Sequence, residues 1–560
     1  MKSRETVLSF GKRFIRSFRP TQLSTSYSTM SPAEVATSTT RVRHPLISKL
    51  LANDLSKIAI RHIPSGNQYS YEQLLKDISG WRQILGPYCH SSNGCRIAIM
   101  GENSYQFTAV FYAALTLSNT LAMPLCTNHT QAEIEYQLND SRATVIVTPS
   151  RFVDKVQFAH SQAKILVYED QILTGSFDDI ASIENCETSG HILYTSGTSG
   201  KPKGVVTPLH TFAAQATALT KQWDISQKTN FLHTLPLHHV HGLLIALTLP
   251  LLAGGRVEFL FPFSPEKLVS RLFDNTLPQV NTYTAVPTIY TRLTAYLKTL
   301  SPEDQGLART ALQSLRLAMC GSAALPAPLR DSWESFTDGK VPLLERYGMT
   351  ETGITLSQSL DPYSRRNGTV GGPVPSVVAR LVETDTNKTV YQSDGSVQSD
   401  GAQGEIQLSG PVVFKEYWGK PEATAETFSS DGWFKTGDIA QVDKYGNLAI
   451  LGRASMDIIK SGGEKISALE IEREILGLSQ VLECSVLGVP SEEWGEEVSV
   501  VAVLSEQGKN ENFGLEDLKA ALRQTLARWK IPKKLVVVDM IPRNQMGKVN
   551  KKNLKSLFDQ

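Results

Sequence analysis

Residues fit to handle phosphate crowd into one stretch, Tyr194-Thr195-Ser196-Gly197-Thr198-Ser199-Gly200-Lys201-Pro202-Lys203-Gly204. It follows a short apolar run, His191-Ile192-Leu193, that reads as the end of a strand. Glycines let a turn expose backbone N–H groups, and the hydroxyls and lysines add donors and positive charge, which is the chemistry a polyphosphate needs. A flexible Ser/Gly linker is the plain alternative. It does not explain small, hydroxyl and basic residues in this order directly after a strand signal. The Walker phosphate loop does not fit either: Pro202, not Ser or Thr, follows Gly200-Lys201, so the magnesium-binding hydroxyl and the helix start are missing.

Further along, Tyr347-Gly348-Met349-Thr350-Glu351 joins a flat aromatic, a tight glycine, a hydroxyl and a carboxylate. Trp433-Phe434-Lys435-Thr436-Gly437-Asp438 ends in an aspartate able to accept from two ribose hydroxyls, and Gly452-Arg453 supplies a permanent cation. Ile541-Pro542-Arg543-Asn544-Gln545-Met546-Gly547-Lys548 sets a lysine on a glycine turn. Taken alone, Lys548 reads as an ordinary solvated lysine among Lys551, Lys552 and Lys555.

In this order and spacing the segments resemble the adenylate-forming superfamily of acyl-CoA synthetases, luciferases and peptide-synthetase adenylation domains, over about residues 44 to 555. The resemblance implies an α/β fold: a large N-terminal domain of layered α/β subdomains plus a β subdomain, and a small, mobile α+β C-terminal domain. It also implies two half-reactions with ATP, Mg2+ and CoA. A carboxylate attacks the α-phosphate to give an acyl adenylate and pyrophosphate, and a thiol then displaces AMP. Carried over, Thr195, Ser196, Thr198, Ser199 and Lys203 hold the β- and γ-phosphates, with Gly197 and Gly200 in the same loop. Gly321-Ser322-Ala323 and Tyr347 flank the adenine, with Gly348 and Met349 beside them. Thr350 touches the α-phosphate and Glu351 ligates Mg2+, a hard cation suited to carboxylate and phosphate oxygens. Asp438 and Arg453 serve the ribose. Lys548 bridges the attacking carboxylate and the α-phosphate, where negative charge builds. Ser455, where many relatives carry Asp or Lys, is the hinge, and Gly462 and Gly463 let the CoA arm approach.

The acid is read from other segments. Pro236-Leu237-His238-His239-Val240-His241-Gly242 lies where the family builds its acyl pocket, Val286-Pro287-Thr288-Ile289-Tyr290-Thr291-Arg292 puts an arginine on the first turns of a helix, and Glu345-Arg346-Tyr347 adds another. These resemble the malonyl-CoA synthetase branch. A dicarboxylate keeps a second charge that a guanidinium binds in bidentate fashion. Arg292 is the first candidate for reading it and Arg346 the second, with an internal ion pair to Glu345 or Glu351 as the alternative use of Arg346. His239 gates the acyl site by resemblance, while His238 and His241 read as packing or hydrogen-bonded histidines. The reading is an AMP-forming malonate–CoA ligase, with methylmalonate left open as a second acid. Its alternatives are a short- or medium-chain monocarboxylate–CoA ligase and a non-catalytic nucleotide-binding protein.

These residues need a scaffold, and the 560-residue length suggests a large and a smaller domain. Strand-like runs at 96–100, 143–147, 165–168, 231–235, 257–260, 281–286 and 315–319 alternate with helical periodicity at 69–84 and 211–223, which predicts largely parallel sheets covered on both faces. From 379 to 446 the pattern turns to short strands and turns. Domains are expected at 44–453 and 454–560. Net charge is +1, which implies no polyanion partner, and the mixed signs argue against a nucleic-acid binder. Six scattered cysteines lack a CxxC pair and suit a reduced compartment. The apolar run 243–253 is too short to span a bilayer. Residues 1–43 carry Lys2, Arg4, Lys12, Arg13, Arg16, Arg19, Arg41 and Arg43 against Glu5 and Glu34, the pattern of a mitochondrial transit peptide, with a disordered basic tail as the alternative and Met30 as a second start for a cytosolic form.

Overall fold

The computed structural model describes residues 43–89, 94–157, 163–169, 173, 175–184, 188–195, 201–543 and 549–558. The expected transit segment up to residue 42, Ser196 to Gly200 of the phosphate loop, and Lys548 lie outside the described residues. The protein is a mixed α/β molecule with a large N-terminal part and a smaller C-terminal one.

Continuous apolar runs make the central strands. Cys95–Met100 is buried at every position and pairs in parallel with Thr120–Leu125 on one side and Val145–Pro149 on the other. Gly190–Thr195 pairs in parallel with Thr120–Leu125 and antiparallel with Lys203–Pro208, so the phosphate loop caps a hairpin at one side of a seven-stranded sheet. The sequence reading did not find Thr120–Leu125, because Pro124 argues against a central strand. Pro124 is tolerated since pairing with Gly190–Thr195 uses Leu121 and Ala122, leaving the missing N–H beyond the ladder.

A nine-stranded sheet carries the second half of the site. Its inner strands Arg256–Phe259, Asn230–His233, Thr282–Ala285, Leu317–Cys320 and Leu343–Met349 run parallel, and the chain then turns back antiparallel through Gly353–Ser357. The helix Tyr71–Leu85 buries Leu74, Leu75, Ile78 and Trp81, the stripe read from the sequence, and starts where Ser70 accepts from the Gln73 N–H. The apolar run at 243–253 forms a buried π-helical segment, His241–Thr248, continued by Leu249–Leu252. Among the described residues no helix is long and apolar enough to cross a membrane.

Val378–Val382, Thr389–Gln392, Gln403–Ser409, Phe434–Val442 and Leu448–Arg453 make an antiparallel five-stranded sheet, the expected β subdomain. Beyond it the chain builds its own apolar cores, one around Ile459, Ile471, Val500 and Leu518 and one around Leu487, Val501, Ile541 and Leu554. Between them sits a buried cation. Lys551 Nζ lies 2.6 Å from Asp457 and 2.8 Å from Glu472. Burial lowers the lysine's pKa, but the two carboxylates outweigh it and raise the net value. Lys551→Met would leave two carboxylates facing each other out of water. The expected outcome is a loss of about 3–5 kcal/mol in stability, read by denaturant unfolding followed at a C-terminal probe.

Candidate active site

The flanks of the phosphate loop are anchored from both sides. Thr195 stands opposite Lys203 in the hairpin register. The Tyr194 hydroxyl donates to Asp140 at 2.8 Å, Lys420 donates to the same carboxylate at 3.0 Å, and Tyr136 donates to the Pro202 carbonyl at 2.8 Å. Trp418 ties in the neighbouring edge through its N–H to the Gly204 carbonyl. The Lys203 ammonium lies 4.8 Å from the Tyr417 ring centre, and the Tyr417 hydroxyl donates to Glu351 Oε1 at 2.8 Å. One tyrosine thus brings the loop lysine and the proposed metal carboxylate together. Among the described residues no cluster of three or more His, Cys, Asp or Glu could hold a metal. A single buried carboxylate fits Mg2+ that arrives with phosphates and keeps waters, and does not fit an all-protein cage.

Asp438 and Arg453, the ribose candidates, are in contact with each other, and Asp438 is in contact with Tyr347. The Tyr347 hydroxyl donates to Asp438 Oδ2 at 2.6 Å, and Arg453 reaches both oxygens, Nε to Oδ1 at 2.9 Å and Nη2 to Oδ2 at 3.2 Å. Burial, and then the Asp438 charge, push the Tyr347 phenol well up, so it stays a donor. Gly348 has no room for a side chain, since a Cβ would lie 2.0 Å from the Gly353 carbonyl oxygen. That close approach sets the turn between strands in which Thr350 sits half-buried, with Met349 before it and Glu351 after.

Arg346 is buried, and its partners are neutral. Its Nη2 donates to His241 Nε2 and lies 3.4 Å from Thr284 Oγ1. Its guanidinium rests on Gly321, where a Cβ would come within 2.7 Å of Nη1. The ion pair considered for it does not form. Glu351 is taken by Tyr417, and Glu345, the adjacent strand residue, faces the opposite side, toward Arg473 and Arg330. Arg292 occupies a different setting, exposed on the helix Pro287–Thr299 with its guanidinium 5.2 Å from the Phe263 ring centre. His239 is half-buried, with its ring 4.2 Å from that of His238. Ser322 and Ala323 follow Gly321 in an exposed turn, with Ser322 at φ +69°.

On the C-terminal side, Ser455 is exposed in the turn after Arg453. Gly462 and Gly463 turn the hairpin Ile458–Ser461/Glu464–Ser467 at φ +59° and +88°, values that favour glycine. Lys465 holds that hairpin against the β subdomain, 2.7 Å from Asp385 and 2.9 Å from Thr384.

Comparison with known proteins shows the family. A model of the AMP-binding enzyme family matches residues 51–418, and a model of the AMP-binding enzyme C-terminal domain matches residues 470–548. The chain belongs to the AMP-binding enzyme family. It is 37% identical to a CoA ligase of Gibberella moniliformis, covering 92% of this chain and 95% of that one. It is also 37% identical to the mitochondrial malonate–CoA ligase ACSF3 of Xenopus laevis, over 84% of each. ATP-bound MatB of Rhodopseudomonas palustris superposes with a TM-score of 0.80 at 31% identity, over 92% of this chain and 99% of that one. A malonyl-CoA ligase product complex holding methylmalonyl-CoA and AMP follows with a TM-score of 0.62 at 30% identity, over 87% of this chain and 97% of that one.

Several residues of this AMP-binding enzyme's site carry no sequence signal. Tyr417 stands 66 positions from Glu351, and Thr284 62 from Arg346. His233 donates or accepts at both ring nitrogens, to the Gly242 carbonyl at 3.0 Å and from the Leu235 N–H at 3.3 Å, and so pins the loop of histidines. Its only trace in the sequence is a polar residue ending an apolar strand.

Glu345 makes a pH prediction. Burial pushes its carboxyl up to about 7, against the lowering charges of Arg473 and Arg330. The folded state therefore holds this proton more tightly than the unfolded chain, whose glutamates titrate near 4.5. The stabilisation is complete below about pH 4.5 and is lost as pH rises through about 7. Glu345→Gln is expected to remove about 1–3 kcal/mol of pH-dependent stability across that window, measured as the slope of unfolding free energy against pH.

Proposed function

We propose that the protein joins malonate to CoA with ATP, through a malonyl adenylate, releasing pyrophosphate and then AMP. The observation that carries this reading is Arg346: a buried guanidinium beside the nucleotide residues whose described hydrogen-bond partners, His241 and Thr284, are neutral. Keeping a cation out of water without a counter-charge is costly, so such a site selects a ligand that brings one. A monocarboxylate spends its only charge at the α-phosphate. Malonate keeps a second carboxylate for the guanidinium. The relatives named as malonate–CoA ligases support the same substrate. Arg346 is the favoured reader of the distal carboxylate. Arg292, exposed and without the same burial, is the second candidate, and His239 lines the acyl entrance.

In the first half-reaction the loop from Thr195 to Lys203 clasps the β- and γ-phosphates, and Gly321, Ser322, Ala323 and Tyr347 bracket the adenine. Asp438 and Arg453 take the ribose, and Thr350 donates to the α-phosphate. Mg2+, held through Glu351, would neutralise phosphate charge. Lys548 spans the attacking carboxylate and the α-phosphate, where charge develops in the transition state. In the second, residues 454–560 turn about Ser455, and the Gly462-Gly463 hairpin admits the CoA thiol. That motion must break the Lys465–Asp385 contact. Residues 1–43 direct the protein to the mitochondrial matrix, in keeping with relatives named mitochondrial; a fluorescent fusion of that segment should enter mitochondria, and one beginning at Met30 should not.

Purified protein with CoA, MgATP and a panel of acids should give its highest kcat/KM with malonate, methylmalonate next, and should release AMP rather than ADP. Acetate or hexanoate ahead of malonate would refute the dicarboxylate reading. Arg346→Ala should lower kcat/KM for malonate about a hundredfold while ATP affinity stays within about threefold, and Arg292→Ala run in parallel ranks the two arginines.

A further inference from the structure

We propose that His241 is the positioning residue for Arg346, and that its being neutral is what makes the site select a dicarboxylate. This rests on Arg346 reading the distal carboxylate. Arginine has no acceptor, so in the Arg346–His241 contact the lone pair must be on His241 Nε2 and the hydrogen on Nη2. With Nε2 accepting, the imidazole proton is on Nδ1, which lies 3.2 Å from Ser322 Oγ and donates to it. Thr284 Oγ1, 2.8 Å from Nε2, gives its one hydrogen to the Met319 carbonyl at 3.3 Å and keeps a lone pair toward Arg346 Nη2 at 3.4 Å. The tautomer is therefore set by the protein. Burial, and then the neighbouring Arg346 charge, hold the ring neutral, in agreement with this geometry.

Three consequences follow from one ring. The guanidinium is held flat on Gly321, where no side chain fits, so its direction is fixed by His241 on one edge and by the glycine below. Its Nε has no partner among the described residues although it is buried, so donor capacity remains for a ligand. Ser322 lies in the left-handed region at φ +69°, uncommon for a residue with a side chain, and the bond from His241 holds that turn in place. Ser322 belongs to the segment proposed to flank the adenine. His241 thus joins the acid reader and the nucleotide wall in one hydrogen-bonded unit. A carboxylate in its place would bind Arg346 equally well. It would also cancel the charge the substrate is meant to meet.

The test replaces His241 with residues that separate acceptor from charge. His241→Asn keeps a neutral acceptor and donor, His241→Asp adds an internal anion of nearly the same size, and His241→Phe removes the acceptor. Each variant is checked by thermal unfolding and by MgATP binding, then assayed by pyrophosphate exchange with malonate and with propionate. The expected result is a malonate kcat/KM within about tenfold of the wild type for His241→Asn and about a hundredfold lower for His241→Asp, carried by KM. The propionate-to-malonate ratio should rise in His241→Asp. His241→Phe should raise the KM for malonate and also weaken MgATP binding through the released Ser322 turn. If His241→Asp and His241→Phe both keep malonate kinetics within about threefold of the wild type while Arg346→Ala loses them, the positioning role is wrong and the arginine reading stands. If Arg346→Ala itself keeps the malonate preference, the reading on which this rests is wrong.

Discussion

A guanidinium kept out of water without a carboxylate beside it is the constraint around which the acid end of this molecule is arranged. Arg346 lies on the strand Leu343–Met349, third from one side of the nine-stranded sheet and paired on both sides, and each neighbour serves its burial. Gly321 yields the space, His241 and Thr284 provide neutral acceptors, and the π-helical segment that opens at His241 brings the ring to the right depth. Wider helical winding of this kind is often found at functional sites, where it re-aims a side chain without breaking the helix. Unpaired buried charge is unfavourable for stability, and proteins retain it where binding recovers the loss.

Asp438 and Arg453 follow the opposite principle, with each charge matched by the other. Asp438 accepts from Tyr347 and Arg453, and the Arg453 backbone N–H donates to Asp457 at 3.0 Å. Asp457 pairs with Lys551, which pairs with Glu472. This chain of contacts runs from the ribose candidates across the turn at Ser455 into the C-terminal region. Gly452 is part of it: at φ +130°, with a Cβ placed 2.4 Å from that of Asp457, only glycine lets the aspartate fold back on the strand end. Asp457 thus ties the strand end at Arg453 to the Lys551–Glu472 group across that turn.

Much of the scaffold was legible because burial on both faces leaves a plain trace. Cys95–Met100, Val145–Pro149 and Leu317–Cys320 are buried along their whole length, and Tyr71–Leu85 shows its stripe at helical spacing. Thr120–Leu125 was missed because Pro124 breaks the local rule, and only the length of its pairing with Gly190–Thr195 shows why it is allowed. In the site, glycine-rich and charged motifs are contiguous, so Tyr347, Asp438 and Arg453 could be named before their contacts were seen. Tyr417, Thr284 and His233 could not, since each is an ordinary residue type made important by a partner far away in sequence.

The sequence by itself determined the family, the α/β architecture and the order of the nucleotide motifs, because these depend on local spacing and on residues whose chemistry is rare. Tertiary structure decided where the arginines and histidines stand and what surrounds them. Arg292 and Arg346 are alike as letters. One is exposed beside Phe263 and the other is buried between Gly321 and His241. The same holds for His241, which reads as a packing or hydrogen-bonded histidine and whose partners, Arg346 and Ser322, only the tertiary structure names. A side chain's charge and proton depend on how much water it has lost and on who stands within 3 Å. Those are properties of distant segments brought together, which no local pattern encodes.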